Sequence, residues 1–306
     1  MNIKLHKLLY SPIALTLTAS AFLLPSHASA VACGDVIISP TFLIQPLTCE
    51  LSIAEPNALT VIGPIGSLTM IGSGGITCED PDEVGQAGIL IEGFSATVSG
   101  GEINNCPNGI DVEGGGFHSI QFVEIVDAGT DGIKIVSNSN NITANTVTGS
   151  VFGDGIDDNG DYNVITQNQV EGVSDEGIEV NGDFTSVILN HVEGSGNEGI
   201  ELEEGIGATV SQNYVASSGG SGIELQDGVS NALVTQNTVL ENGIDEDPDE
   251  AGINILGPDN TDNRIIGNTA LDNFEFDLRD ATDPLCTGIN IWLDNTFVTA
   301  DPACLN

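Results

Sequence analysis

Carboxylates recur through this chain in two columns. Asp131, Asp154, Glu176 and Glu198 each stand immediately before a glycine, and Asp111, Asp157, Glu179, Glu201 and Glu224 each stand two residues after one. Lys134 takes the second kind of place once. Carboxylate pairs do two kinds of chemistry. They act as general acid and base or nucleophile in glycoside cleavage, and they ligate hard cations such as Ca²⁺. The candidate catalytic residues are Asp154, Asp157, Glu176 and Glu179. The candidate substrate- or cation-binding set is Asp131, Asp154, Asp157, Asp158, Glu176, Glu179, Glu198, Glu201 and Glu224. Like charges brought close together either bind protons more tightly or hold cations between them. An all-oxygen set suits Ca²⁺ better than zinc or copper. The competing reading is a solvated acidic face, and neither the EF-hand spacing nor the calcium nonapeptide is present.

The elements that carry these residues repeat. Gly-Ile recurs at Gly88, Gly109, Gly132, Gly155, Gly177, Gly199, Gly222 and Gly252, roughly every 22 residues until a longer last interval. Gly132-Ile-Lys-Ile135 and Gly199-Ile-Glu-Leu202 alternate apolar and variable positions, the period of a short strand with every second residue turned inward. Leu59-Thr-Val-Ile62 and Leu68-Thr-Met-Ile71 fit as earlier, less regular coils. Later in each repeat stands Asn145, Asn168, Asn190, Asn213, Asn237 or Asn268. Asparagine tolerates left-handed backbone and bonds locally, so these residues suit turns and stack as a hydrogen-bonded ladder with no ligand role. Each repeat hides its apolar residues only by stacking on the next. The pattern predicts an all-β, single-stranded parallel β-helix of about nine to eleven coils, adjacent strands about 4.8 Å apart.

Asp158 breaks the inward column Val112, Ile135, Asp158, Val180, Leu202, Leu225. Either the strand stops at Asp157 and Asn159-Gly160 turns outward, or Asp158 has a specific buried partner; the Asp-Asn-Gly-Asp run favours the early turn. The pentapeptides Glu79-Asp-Pro-Asp-Glu83 and Glu246-Asp-Pro-Asp-Glu250 are identical and precede Gly-Ile strands, as solvated loops at one corner.

Charge narrows the partners. Five basic residues face 45 acidic ones, a formal net charge of −40. Lys4 and Lys7 open the chain, leaving Lys134, Arg264 and Arg279. Phosphate recognition needs Lys and Arg, so nucleic acid and anionic membrane surfaces are excluded as partners. A polysaccharide or another cell-surface polymer remains, polyanions only with bridging metal ions. The basic start, the apolar run Ile13 to Leu24 and Ala28-Ser29-Ala30 read as a signal peptide over 1–30, cut near Ala30. The product is a secreted or periplasmic monomer without a membrane span, one domain over 31–306. Its ends, about 31–55 and about 278–306, are expected to be caps. Cys33, Cys49, Cys78, Cys106, Cys286 and Cys304 are an even set in an exported chain. Pairing of neighbours gives Cys33–Cys49, Cys78–Cys106 and Cys286–Cys304, so that the end caps are disulfide-stabilised. Trp292 reads as cap packing.

These Gly-Ile-x-apolar and Asn-x-Val repeats resemble the right-handed parallel β-helix repeat proteins of the pectin-lyase-like superfamily, well over about 85–306 and weakly over 31–84. The resemblance implies the architecture and leaves activity open, because the superfamily holds lyases, glycosidases, epimerases, adhesins and non-catalytic surface proteins. Thr130-Asp-Gly-Ile133 and Gly153-Asp-Gly-Ile156 are similar to the Asn-Thr-Asp and Gly-Asp-Asp motifs of polygalacturonase-type glycosidases. Gly155 replaces their second aspartate, Glu176 stands at their histidine, and no Arg-Ile-Lys follows. The Asp-Pro-His-Asp signature of alginate epimerases is absent. Lys134 reads as a charged bridge rather than a lyase base. His118 and His191 have no Cys, His or Ser motif around them, and His191, beside the Asn ladder, reads as structural. The missing signatures favour a non-catalytic surface or matrix protein that binds cations or glycans. The alternative is a polysaccharide hydrolase or lyase using the acidic face.

Overall fold

A computed structural model describes residues 30–79, 87–245 and 247–305. The signal-peptide reading therefore lies outside the described residues up to position 29, as do Asp80 to Glu83 of the first acidic pentapeptide and Glu246 of the second. Ala32–Asn306 cluster as one compact unit. It is built from short strands only, and they fall into three parallel sheets of 12, 11 and 10 strands. Each coil gives one strand to each sheet, as in Asn108–Val112, Ser119–Gln121 and Glu124–Ala128. The next coil repeats the path with Ile133–Ile135, Asn141–Thr143 and Thr146–Ser150. About eleven coils stack in this way, a parallel β-helix.

The period-two alternation works as the sequence predicts. Ile110, Ile133, Ile156, Ile178, Ile200, Ile223 and Ile253 lie in register on successive strands of the first sheet, all fully buried. Each such side chain contributes about 2 kcal/mol of apolar burial. The glycine before each isoleucine is required by a neighbour. A Cβ on Gly155 would lie 2.3 Å from Val170 Cγ1 of the third sheet and 2.5 Å from the Gly177 carbonyl oxygen.

The asparagine ladder is present, with a different division of labour from the one predicted. The residues before the asparagines take the left-handed conformation: Ala144, Gln167, Leu189, Gln212 and Gln236 have φ of 55–60°. The asparagines turn inward and are buried. Asn190 Oδ1 accepts from the Asn168 backbone N–H at 2.9 Å and from Asn168 Nδ2 at 3.0 Å. Its own Nδ2 donates to the Ile165 carbonyl at 2.9 Å and to Asn213 Oδ1 at 3.1 Å. The corner thus satisfies buried backbone groups that the turn leaves unpaired.

The disulfides are Cys33–Cys49, Cys78–Cys106 and Cys286–Cys304. The segments expected to be caps are themselves coils. Asp35–Ile37, Pro40–Leu43 and Leu47–Glu50 start the three sheets, and Ile291–Leu293 ends the second. Trp292 stands in register with Ile265, and its Nε1 donates to Asp280 Oδ2 at 2.9 Å. It therefore packs at the C-terminal end of the core.

Candidate functional site

Strand pairing brings the two acidic columns onto one face of the first sheet. Asp111, Lys134, Asp157, Glu179, Glu201, Glu224, Asn254 and Arg279 lie in register along the outward position. Four carboxylates are thus bracketed by Lys134 on one side and by Asn254 and Arg279 on the other. The second column runs along the corner beside it. Asn108 Oδ1 accepts the Asp131 N–H at 3.1 Å, Asp131 Oδ1 the Asp154 N–H at 3.2 Å, and Asp154 Oδ1 the Glu176 N–H at 3.0 Å. Asp131 and Asp154 therefore serve the fold as ladder residues as well as presenting charge. Asn108, in the same position before Gly109, opens this ladder and could have been found from that spacing.

The expectation of fully solvated outward acids does not hold. Asp157 is only 5% exposed, and Asp131, Asp154, Glu201 and Glu224 are buried too. Side chains one coil apart cover one another, and polar neighbours fill the gaps. Lys134 Nζ reaches Asp157 Oδ2 at 2.5 Å and Asp131 Oδ2 at 3.2 Å, the charged bridge that its position in the column predicts. Asn159 donates to Asp157 and Gln226 to Glu201. Asn181 Nδ2 donates to Glu179 Oε1 at 2.9 Å. At the far end, Ser221 Oγ lies 2.9 Å from Glu224 Oε2 and 2.6 Å from Glu250 Oε2. Arg279 holds Asp249 of the second pentapeptide at 2.7 Å, which ties the end of this loop to the strip while Asp247, Pro248 and Asp249 stay exposed, as expected of a solvated loop.

Burial and crowding raise these carboxyl groups. Burial, then Glu176 beside it, holds Asp154 far above the carboxylate range. Burial and the neighbouring Glu224 and Glu250 push Glu198 up to about 8. Glu201 rises to about 9, through burial and then Glu198. Burial raises Glu224 to about 7 against the hydrogen bond from Ser221. Burial also raises Asp157, opposed by Lys134, and the surrounding acids raise Lys134 against its own burial, which keeps it charged. Asp131, Asp154 and Asp157 each offer an oxygen within 4.8 Å of the others, as do Glu176, Glu198 and Glu201, and Glu198, Glu224 and Glu250. Asp175 joins Asp154 and Glu176 in a further such group; neither Asp175 nor Glu250 stands in the repeating columns.

Asp158 is separated from the rest. Its strand runs through Ile156–Asp158, so the early turn does not occur, and its carboxylate points inward with no exposed surface. It faces the core corner and offers nothing to a ligand on the acidic face. His191 lies beside the asparagine ladder, as expected, with its side chain outward and 43% exposed. His118 is the buried histidine. Its Nδ1 accepts the Ala96 N–H at 3.0 Å and its Nε2 lies 2.9 Å from the Glu113 carbonyl oxygen.

Two concavities, of about 370 and 280 Å³, lie away from the acidic strip, one beside Gly72–Thr77 and one around Asp280 and Trp292. No helix among the described residues is long and apolar enough to cross a membrane.

Stacked parallel coils with inward aliphatic columns and one carboxylate-lined sheet define a right-handed parallel β-helix protein. Residues 176–301 match the family model described as "Right handed beta helix region". No curated protein sequence matches the chain. Among solved structures, the chain is similar to the Dettilon tailspike protein at 16% identity and a TM-score of 0.59, covering 84% of this chain and 60% of that one. It is similar to the periplasmic alginate epimerase AlgG at 15% identity and a TM-score of 0.58, covering 82% and 66%. It is similar to the A-module of the Azotobacter vinelandii mannuronan C-5 epimerase AlgE4 at 13% identity and a TM-score of 0.53, covering 85% and 86%. The chain thus spans about three fifths of the tailspike chain and about two thirds of the AlgG chain. At these identities the likeness establishes the fold.

Proposed function

We propose that this is an exported β-helix protein that binds cations and a glycan on the acidic strip. The observation that carries the reading is the in-register column Asp157, Glu179, Glu201 and Glu224 with the corner column beside it. Crowded carboxyl groups of raised pKa need protons, cations or hydroxyl donors. A glycan supplies hydroxyls, and a strip that runs over several coils suits an extended polymer better than a small molecule. Oxygen pairs up to 4.8 Å apart match the span across one Ca²⁺ with bonds of about 2.4 Å. Asp131, Asp154 and Asp157 would hold one ion, and Glu176, Glu198 and Glu201 another, with water completing each shell. Three disulfides suggest an oxidising compartment, in keeping with a signal peptide cut near Ala30 and a secreted or periplasmic monomer.

One observation favours a catalytic reading. Asp154 is held protonated beside Asp157, which Lys134 keeps paired. A protonated acid beside a carboxylate paired with a lysine is the division of labour of a glycosidase. Glu176 and Glu179 stand one coil on. The test is the purified secreted protein with Ca²⁺ on a polysaccharide panel, scoring retention, new reducing ends and unsaturated uronates together. Retention without cleavage, lost in Asp154→Asn/Asp157→Asn, supports the binding reading. Cleavage lost in that variant replaces it with the catalytic one. Neither retention nor cleavage on any polymer rejects a glycan-directed strip.

A further inference from the structure

We infer that the third sheet carries a transition-metal site, of the Zn²⁺ class, made by Glu171, His191 and Glu193. Gln169 pairs with His191 and Glu171 with Glu193 on adjacent strands, which leaves Val170 and Val192 inward. All three ligand side chains therefore leave the same outward face of this sheet. One atom from each lies within 4.8 Å of the other two, and His191 Nε2 is 3.3 Å from Glu193 Oε2.

Two features set this group apart from the acidic strip. It contains an imidazole, and imidazole with carboxylate suits zinc, nickel or copper, whereas the all-oxygen strip suits calcium. The imidazole is also held in place. Tyr214, in register on the next strand, stacks on the His191 ring at 4.7 Å with the planes 8° apart. Gln169 Nε2 donates to Glu171 Oε1 at 2.5 Å, which orients the second carboxylate. Such outer partners fix ligand direction before the ion arrives. Zinc bonds of about 2.0–2.2 Å bring tetrahedral ligands to roughly 3.4 Å from one another. Glu193 is 52% exposed and can make that adjustment by side-chain rotation alone. The fourth position faces solvent and would hold water.

The test is Zn²⁺ titration of the secreted protein by calorimetry, followed by the imidazole nitrogen resonances. His191 and His118 are the only histidines after residue 30, and His118 is buried, so the assignment is unambiguous. We expect one Zn²⁺ event that shifts the His191 resonances, leaves those of His118 in place and disappears in His191→Gln. Tyr214→Ala should weaken it by about tenfold, and Asp154→Asn/Asp157→Asn should leave it unchanged, which separates it from the strip. Melting in chelator should be the same for His191→Gln and the parent, since the side chain is outward. Zn²⁺ binding of equal strength in His191→Gln, or saturation without movement of the His191 resonances, would overturn the site.

Discussion

The Asp158 carboxylate accepts the Thr185 hydroxyl at 2.9 Å inside the coil, in a column where the adjoining strands carry Ile135 and Val180. The reason lies one corner on. Asn140 and Asn163 continue a second ladder that His118 opens, with Asn140 Oδ1 accepting the His118 N–H at 2.9 Å and Asn163 Oδ1 the Asn140 N–H at 2.7 Å. The next coil offers Thr185 in place of an asparagine. Asn163 Nδ2 instead donates to Asp158 Oδ1 at 2.6 Å, and the Gly160 N–H donates to the same oxygen at 3.2 Å. The aspartate thus ends a ladder that would otherwise leave buried donors unpaired.

This arrangement has a definite pH signature. Burial raises Asp158 to about 7, against the hydrogen bonds from Gly160, Thr185 and Asn163. The unfolded carboxyl releases its proton near 3.9, so folding takes up a proton between those values. The stability that Asp158 contributes is full below about pH 4 and is lost as pH rises through about 7. Asp158→Asn keeps an acceptor for Asn163 and removes the titration, so its urea midpoint should fall less than the parent's over that window. Asp158→Leu orphans the donors and should lose about 2 kcal/mol at every pH. Equal pH slopes in the parent and Asp158→Asn would contradict this account.

The acidic strip should follow the same sign on a larger scale. Glu198, Glu201 and Glu224 are raised to about 8, 9 and 7. Their contribution to stability is present below the ordinary glutamate pKa and is lost as pH rises through these values. Scanning calorimetry in chelator should show a melting temperature that falls from mildly acid to mildly alkaline pH. Added Ca²⁺ should restore it on the alkaline side, where the carboxylates are charged, and do little on the acid side. A Ca²⁺ effect independent of pH would argue against ions on this strip.

Lys134 is the cation that reconciles Asp131 with Asp157. Lys134→Gln leaves two buried carboxylates facing each other. The lysine is 38% exposed, so the loss should be about 1–3 kcal/mol rather than that of a fully buried pair. Acidification or Ca²⁺ should recover most of it. Denaturant titrations at two pH values, with and without Ca²⁺, measure the recovery.

The asparagine ladder should be most sensitive in its middle. Asn190→Ala removes the acceptor for two donors of Asn168 and the donor to the Ile165 carbonyl. We expect a loss of about 2–4 kcal/mol by urea unfolding. Asn190→Asp keeps the acceptor and loses the donors, so it should fall between the parent and alanine.

Much of this was legible beforehand. The Gly-Ile interval predicted the coils, alternation predicted which residues face inward, and the recurring asparagines predicted the ladder. Pairing neighbouring cysteines matched the disulfides, because in a solenoid nearby residues in sequence stay nearby in space. The acidic columns were placed on one face by counting from each glycine. Two features were not legible: which side chains would hold Asp158 inside, and the burial of Asp157, Glu201 and Glu224. Asp158 depends on Thr185, 27 residues away. Local turn preference at Asn159-Gly160 pointed the other way and lost to that contact.

By itself, then, the sequence determined the architecture, since a repeat that cannot bury its apolar face alone must stack on its copies. It also determined the excess of negative charge and which residue types could meet along the first sheet. The tertiary structure alone decided which carboxylates are desolvated, which hold each other's protons, and which side chains reach across a corner to a partner on another coil. Those outcomes depend on separations of a few ångströms between coils, where burial and charge–charge repulsion change steeply with distance, and no spacing along the chain records them.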